Sequence, residues 1–265
     1  MSFPIDHDLH THTVLSSCSG DPLQTPERLL RHAVENGYTV QCVTDHLWDS
    51  RVPGASGWYA PQDVEHIKKS LPLPKDDRVK MVFGCETEFT GGKHLGLHPS
   101  RYDDMGFIVI PPNHFHMRGF VRPVSYDTEE KIADLLVERL EEISLMDLPF
   151  RKVGIAHMVC SLIFTEGDEL AVYRAVDEKR FRAVMHRFAR LGAGIEINTS
   201  CFGDMTPENE CDYLRLYRLA KAEGCKFYLA SDAHHPSELD LVGRYAKPVI
   251  DALGLTENDL FRIGQ

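Results

Sequence analysis

Seven short apolar runs alternate with helix-like segments along this chain, and six of the seven end on His, Asp or Glu. Those ends are His10/His12, His46, Glu86, His114, His157 and Asp232/His234, and the seventh, Glu196-Ile197-Asn198, is polar too. Strands alternating with helices pair in parallel, each through a crossover connection. In a parallel α/β barrel the side chains that do chemistry collect at the C-terminal ends of the strands. Chance placement would scatter the same residues through helices as well. Few histidines fall inside helical segments (His32, His66, His186), and these read as solvated surface.

The local signals support this alternation. Asp8-Leu9-His10-Thr11-His12 follows a short apolar start at Phe3 and Ile5. Side chains alternate along a strand, so His10 and His12 share a side, where two neutral imidazoles can hold one cation. Thr25-Pro26-Glu27 supplies an N-cap, a proline at N1 and an acidic first turn. Leu29, Leu30, Ala33 and Val34 form one helical face, closed by Asn36-Gly37. The run Thr39–Val43 stops at Thr44-Asp45-His46, and Val79–Phe83 stops at Gly84-Cys85-Glu86, after a short helix within 61–70. His94 and His98 lie in a glycine-rich loop, as lid or bystander. Phe107–Ile110 ends at Pro111-Pro112 and leads into Asn113-His114-Phe115-His116. The 3.6-residue spacing of Ile132, Leu135, Leu136, Leu140 and Ile143 predicts a long helix over 128–146. Val153–Ala156 ends at His157, and a helix over 178–191 precedes Gly194–Asn198. Thr206-Pro207-Glu208 repeats the earlier cap chemistry and opens a helix closing near Gly224, before Phe227–Ala230 runs into Ser231-Asp232-Ala233-His234-His235. Thr256-x-x-Asp259 resembles a capping box, so a last helix is expected there.

Size and charge bound the function. With 265 residues and 30.0 kDa the chain suits one large domain. A formal charge of −11 disfavours long nucleic acid as a partner, since backbone contact needs clustered Lys and Arg. It permits an anionic substrate, because bound cations can dominate the local field. No apolar run approaches the roughly 20 residues that span a bilayer, and Met1-Ser2-Phe3-Pro4 does not resemble a signal peptide. The seven cysteines lack CxxC spacing and several sit in apolar runs, as expected of reduced thiols in a cytoplasmic protein.

Taken in order, DLHTH (Asp8–His12), TDH (Thr44–His46), GCE (Gly84–Glu86), NHFH (Asn113–His116), IAH (Ile155–His157), EINTS (Glu196–Ser200) and SDAHHP (Ser231–Pro236) resemble the PHP family. This is the polymerase-and-histidinol-phosphatase group of metal-dependent phosphoesterases, and the resemblance runs almost end to end. It implies a distorted, TIM-like (β/α)7 barrel, with residues 1–265 as a single hydrolase domain holding two or three divalent ions (zinc, manganese or iron). Carried over by motif, His10, His12, Glu86 and Asp232 surround one ion, and Glu86 bridges to a second held by His114 and His157. A third uses His46, His234 and one ligand from the loop after His12. Members commonly place His or Asp five or six residues after the HxH, where this chain has Ser17 and Cys18. Cys18 as thiolate, or Asp21 further along, stands as the substitute.

Such ions suit phosphoester hydrolysis. One lowers the pKa of bound water and yields hydroxide for attack at phosphorus, while a pair neutralises the attacking and leaving oxygens. The catalytic assignment falls on Glu86, Asp232 and His234, with Asp232 also able to accept a proton from the water. His114 and His116 share a face if the segment is extended; His114 is assigned to metal and His116 to substrate. Arg118 and Arg122, in the following loop, are candidates for the phosphate, which suits the guanidinium fork. Glu88 reads as a support for the ligands and His235 as support or solvent-facing. The expected substrate is a small phosphomonoester of histidinol-phosphate type. The alternatives are a phosphodiesterase or exonuclease on nucleotides or short oligonucleotides, an amidohydrolase-type hydrolase, and a metal-binding domain without turnover. Amidohydrolases often bridge their metals with a modified strand-end lysine, whereas Lys80, Lys152 and Lys226 fall at strand beginnings. The pocket walls are expected from the irregular loops 48–61 and 91–102.

Overall fold

A computed structural model describes residues 1–265. Its strands are β1 (His7–Asp8), β2 (Val40–Val43), β3 (His46–Leu47), β4 (Lys80–Thr87), β5 (Phe89–Gly91), β6 (His94–Leu95), β7 (Phe107–Ile110), β8 (Val153–Ile155), β9 (Gly194–Asn198) and β10 (Lys226–Ala230). The helices are α1 (Pro26–Glu35), α2 (Val64–Ile67), α3 (Glu129–Ile143), α4 (Glu169–Ala175), α5 (Glu178–Leu191), α6 (Glu210–Ala222) and α7 (Leu241–Leu253). One sheet runs β1-β2-β4-β7-β8-β9-β10 with every pairing parallel. The short β3 adds beside the end of β4, and β5 with β6 forms a separate antiparallel hairpin. The last strand returns to the first: Leu9 N donates to Leu229 O (3.0 Å), Asp232 N to His10 O (2.8 Å) and His12 N to Ala233 O (3.0 Å). The result is a single α/β, TIM-like barrel of seven parallel strands, as the motif order implies.

Alternation along the strands separates two apolar layers. Phe107 and Val109 pack with Leu9, Cys42, Val82, Tyr228 and Phe261 inside the ring. Ile108 and Ile110 join the larger core, where α3 contributes Ile132, Leu135, Leu136, Leu140 and Ile143. Phe261, from the segment after the barrel, lies 6.0 Å from Phe107 between ring centroids and fills the end away from the strand termini. Gly84 lets β4 approach β7 closely, since a Cβ there would overlap the Phe107 carbonyl.

Most of the expected caps form. Thr25 accepts from Arg28 N at the start of α1, and Thr128 from Lys131 N at the start of α3. Three readings are corrected. Asn209, not Thr206, immediately precedes α6, because the Asn209 side chain bonds back to Thr206 N (2.7 Å) and folds Thr206–Asn209 into a turn. The box at Thr256–Asp259 closes only one 3₁₀ turn, while the last α-helix is α7, which carries Pro248 in its interior. His32 is not solvated: it is 9% exposed, packed edge-on to Tyr38 and near Asp240. No helix is long and apolar enough to cross a membrane.

Candidate metal centre

The strand ends bring six histidines and two carboxylates to the barrel mouth. Their donor atoms form three groups, each within 4.8 Å: His10/His12/Glu86, Glu86/His114/His157 and His12/His46/His234. Glu86 ends the straight run of β4 and stands at the centre. Its Oε2 lies 3.5 Å from Nε2 of both His10 and His12, and its Oε1 lies 3.7 Å from Nε2 of His114 and 3.5 Å from that of His157. Neither oxygen has a hydrogen-bond partner, although Glu86 is 1% exposed. Asp232 Oδ1 adds contacts to Nε2 of His10 (3.4 Å) and His12 (3.1 Å). Asp232 has φ +54, a left-handed conformation that Asp tolerates better than most residues and that concentrates at functional sites.

Each ring but one is pinned through Nδ1, leaving Nε2 directed inward. Nδ1 of His10 meets Glu196 Oε2 (2.9 Å), that of His12 meets Ser16 Oγ (3.0 Å), and that of His114 meets Glu88 Oε2 (2.7 Å). Nδ1 of His157 meets Asn113 Oδ1 (2.9 Å), and that of His234 meets the Asp232 carbonyl (2.7 Å). Ser16 in turn donates to Asp45 (2.7 Å), and Tyr59 donates to Glu88 (2.8 Å). Such outer bonds fix the tautomer and orientation that metal-binding imidazoles require. His46 is the exception: its Nδ1 lies 2.8 Å from Glu86 Oε2 but out of line for a hydrogen bond.

The electrostatics follow the crowding. Burial opposes ionisation of Glu86, but His46 and His10 beside it hold its carboxyl well below the usual carboxylate range. Asp232 is held low in the same way, chiefly by His10 and His12. His12 is driven well below its ordinary value by burial and by the neighbouring His234 and His46. Burial also works against His157, yet Cys160 and the carboxylates raise it to about 10. Burial pushes the Cys18 thiol up, while the nearby imidazoles of His234 and His46 outweigh it and bring it to about 7.

Above the cluster lies a cavity of about 680 Å³. Glu86, Asp232, His46, His114 and His234 form its floor, and Trp58, Tyr59, Met117, Phe120 and Leu162 give it apolar walls. His116, Arg118 and Glu238 are its polar rim.

No protein-family model matches the chain, and no curated protein matches it in sequence. Solved structures do. The crystal structure of histidinol phosphate phosphatase (HisK) from Lactococcus lactis subsp. lactis Il1403, complexed with zinc, L-histidinol and phosphate, gives a TM-score of 0.58 over 94% of each chain at 18% identity. A candidate histidinol phosphatase HisK from Listeria monocytogenes gives 0.63 over 88% of this chain and 97% of its own, at 15% identity. The chain has the fold of the histidinol phosphatases. At the level of the fold, this bears out the resemblance to the PHP family drawn from the motifs.

Within this histidinol-phosphatase-type barrel the expected site residues divide. His10, His12, His46, Glu86, His114, His157 and His234 fall in the three donor groups, with Asp232 against the first. His116 and Arg118 stand on the cavity rim. Asp21 does not join them; its Oδ2 contacts Nε2 of His235 at 2.9 Å. Arg122 is 1% exposed, donates to Glu166 Oε2 (2.6 Å) and lies over the Phe164 ring, outside the cavity lining. Loop 48–61 supplies Ser56, Trp58 and Tyr59 to the wall, but 91–102 does not reach it: His94 instead bonds Pro53 O (3.0 Å) behind Trp48. Lys80 and Lys226 open their strands and Lys152 precedes β8, so all three lie at the end away from the mouth.

Sequence reasoning passed over Glu196, Asn113 and Tyr228 as named site residues. Glu196 is fully buried in β9 between Ile195 and Ile197. A carboxylate inside an apolar strand must have partners, and that signal was available. The role of Tyr228 was not, since it depends on the register of β10 against β9.

Proposed function

We propose that the protein is a metal-dependent phosphomonoesterase acting on a small phosphorylated substrate of the histidinol-phosphate kind. The observation that carries the proposal is Glu86, a buried carboxylate with both oxygens unpartnered and four imidazole Nε2 atoms within 3.7 Å. Buried oxygens without partners are rare and costly, and imidazole with carboxylate is a donor set for zinc, manganese or iron. The residues therefore fit a multi-ion centre: His10, His12, Glu86 and Asp232 for one ion, Glu86, His114 and His157 for another, and His46 with His234 for a third. Bound divalent ions supply an acidified water and neutralise charge on a phosphoryl group.

The chain's own groups complete the site. Asp232, 3.0 Å from the Asn198 amide through its Oδ2, is oriented to accept a proton from a water at the floor. His116, lowered to about 4 by burial and the nearby imidazoles, is neutral at physiological pH and offers an N–H to a phosphate oxygen. Arg118 lies on the rim with its Nη2 donating to Val124 O (3.2 Å), which leaves its other guanidinium N–H groups for the same oxygens. Trp58, Tyr59, Phe120 and Leu162 exclude water and pack against the leaving group. The solved histidinol phosphate phosphatase with zinc, L-histidinol and phosphate supports this reading through the shared fold.

Phosphate release from histidinol phosphate and a phosphomonoester panel, with Mn²⁺ or Zn²⁺ added, tests the proposal. Release from at least one monoester is expected. A metal-loaded chain that releases phosphate from none contradicts it, and cleavage of diesters alone points to the phosphodiesterase reading.

A further inference from the structure

His10, His12, His114 and His157 are backed at Nδ1 by Glu196, Ser16, Glu88 and Asn113. The two carboxylates among these each take a tyrosine hydroxyl in turn, Tyr228 on Glu196 and Tyr59 on Glu88. Tyr228 lies inside the ring of strands. Of the four backing groups and two tyrosines, only Tyr59 lines the cavity.

Glu88 is fully buried and its carboxylate is held from two sides. Phe89 N donates to Oε1 (3.2 Å), while the Tyr59 hydroxyl (2.8 Å) and His114 Nδ1 (2.7 Å) both donate to Oε2. His114 follows β7 in a turn, where Phe115 N donates to Asn113 O (2.6 Å), so no sheet ladder fixes its ring. The place of Glu88 Oε2 therefore decides where His114 Nε2 points. Tyr59 is itself fixed by packing. It is 1% exposed, edge-on to Trp58 (4.7 Å between centroids) and against Trp48 (5.9 Å) and Phe120 (6.1 Å).

We infer that Tyr59 is a positioning residue: its hydroxyl, acting through Glu88, orients His114 for the ion shared with Glu86 and His157. The inference rests on the metal-centre reading above and goes beyond it by tying one ion to the wall that receives the leaving group. Ring and hydroxyl have separate roles, since the ring closes the cavity and the hydroxyl serves the ion. A substitution that reshapes the wall at Tyr59 thus also weakens an ion, whereas one at Phe120 does not.

Stepwise zinc affinities of the full chain, measured by competition with a coloured chelator, test this on Tyr59→Phe, Glu88→Gln, the double variant and Phe120→Leu. Tyr59→Phe keeps the ring, so one ion per chain is expected to bind roughly 10–100-fold more weakly, the range for removing such a support, with the other ions unchanged. Residues that act in one network give non-additive losses, so the double variant should lose less than the two single losses combined. Phe120→Leu alters the wall alone and should keep the wild-type affinities. Wild-type affinities in Tyr59→Phe, losses that combine in full, or an equal loss in Phe120→Leu overturns the inference and leaves the metal centre standing. A wild-type chain that takes up no zinc overturns both.

Discussion

Glu196 accepts from Nδ1 of His10 at 2.9 Å, so a carboxylate buried in β9 sets the direction in which an imidazole beyond β1 offers its other nitrogen. The Tyr228 hydroxyl donates to the same Glu196 oxygen at 2.9 Å, and Gly154 leaves the space that hydroxyl occupies. Three strands thereby aim one nitrogen at the candidate metal centre.

Glu196→Gln removes the charge that orients His10 while keeping the shape. Metal affinity at the His10/His12/Glu86 position is expected to fall roughly 10–100-fold, the usual cost of losing such a partner. Competition with a chromophoric chelator measures it. Unchanged affinity would show that His10 is held by packing alone.

Gly154→Ala places a Cβ against both the Tyr228 hydroxyl and the Phe107 ring. Both rings are fully buried, so neither can move aside freely. A loss of about 1–3 kcal/mol is expected from overpacking, read as a lower urea midpoint, together with weaker metal binding as Tyr228 leaves Glu196.

Much of this arrangement is legible in the sequence because strand ends, helix caps and the HxH spacing are local signals. Phe107–Ile110 and Glu178–Leu191 form with the bounds their patterns predict. The failures have physical causes. Gly243 and Pro248 break the pattern of α7, which forms because Val242, Ala246, Val249 and Ile250 are buried against the barrel. Arg118 and Arg122 are equivalent in sequence, yet the loop turns one to the rim and the other inward to Glu166. His32 sits on the edge of an amphipathic face, and only tertiary packing decides that it is covered.

The two arginines are therefore expected to behave differently. Arg118→Ala should lower kcat/KM, raising the corresponding barrier by about 1.5–3 kcal/mol, the range for a hydrogen bond to a charged group, with melting temperature unchanged. Arg122→Ala should lower the melting temperature, because it removes a buried side chain and leaves Glu166 unpaired. Steady-state kinetics and thermal melts on both variants separate these outcomes, and a matching loss of kcat/KM in Arg122→Ala with normal stability would restore it to the site.

Metal loading should release protons. In the metal-free chain the raised value of His157, about 10, keeps it protonated at pH 7 to 8. A raised value means the proton is held until pH climbs through about 10, so ligation at pH 7 must displace it. Affinity should therefore rise with pH over this range. Calorimetric titration of zinc in buffers of different ionisation enthalpy gives the proton count, and a value of zero at pH 7 would contradict the protonated state.

Metal content per chain tests the central claim most directly. After exposure to zinc or manganese and removal of excess, at least two ions should stay with each wild-type chain, and Glu86→Ala should lose both positions that share its carboxylate. A well-folded wild-type chain that remains metal-free, or a Glu86→Ala variant that binds as many ions as wild type, would contradict it.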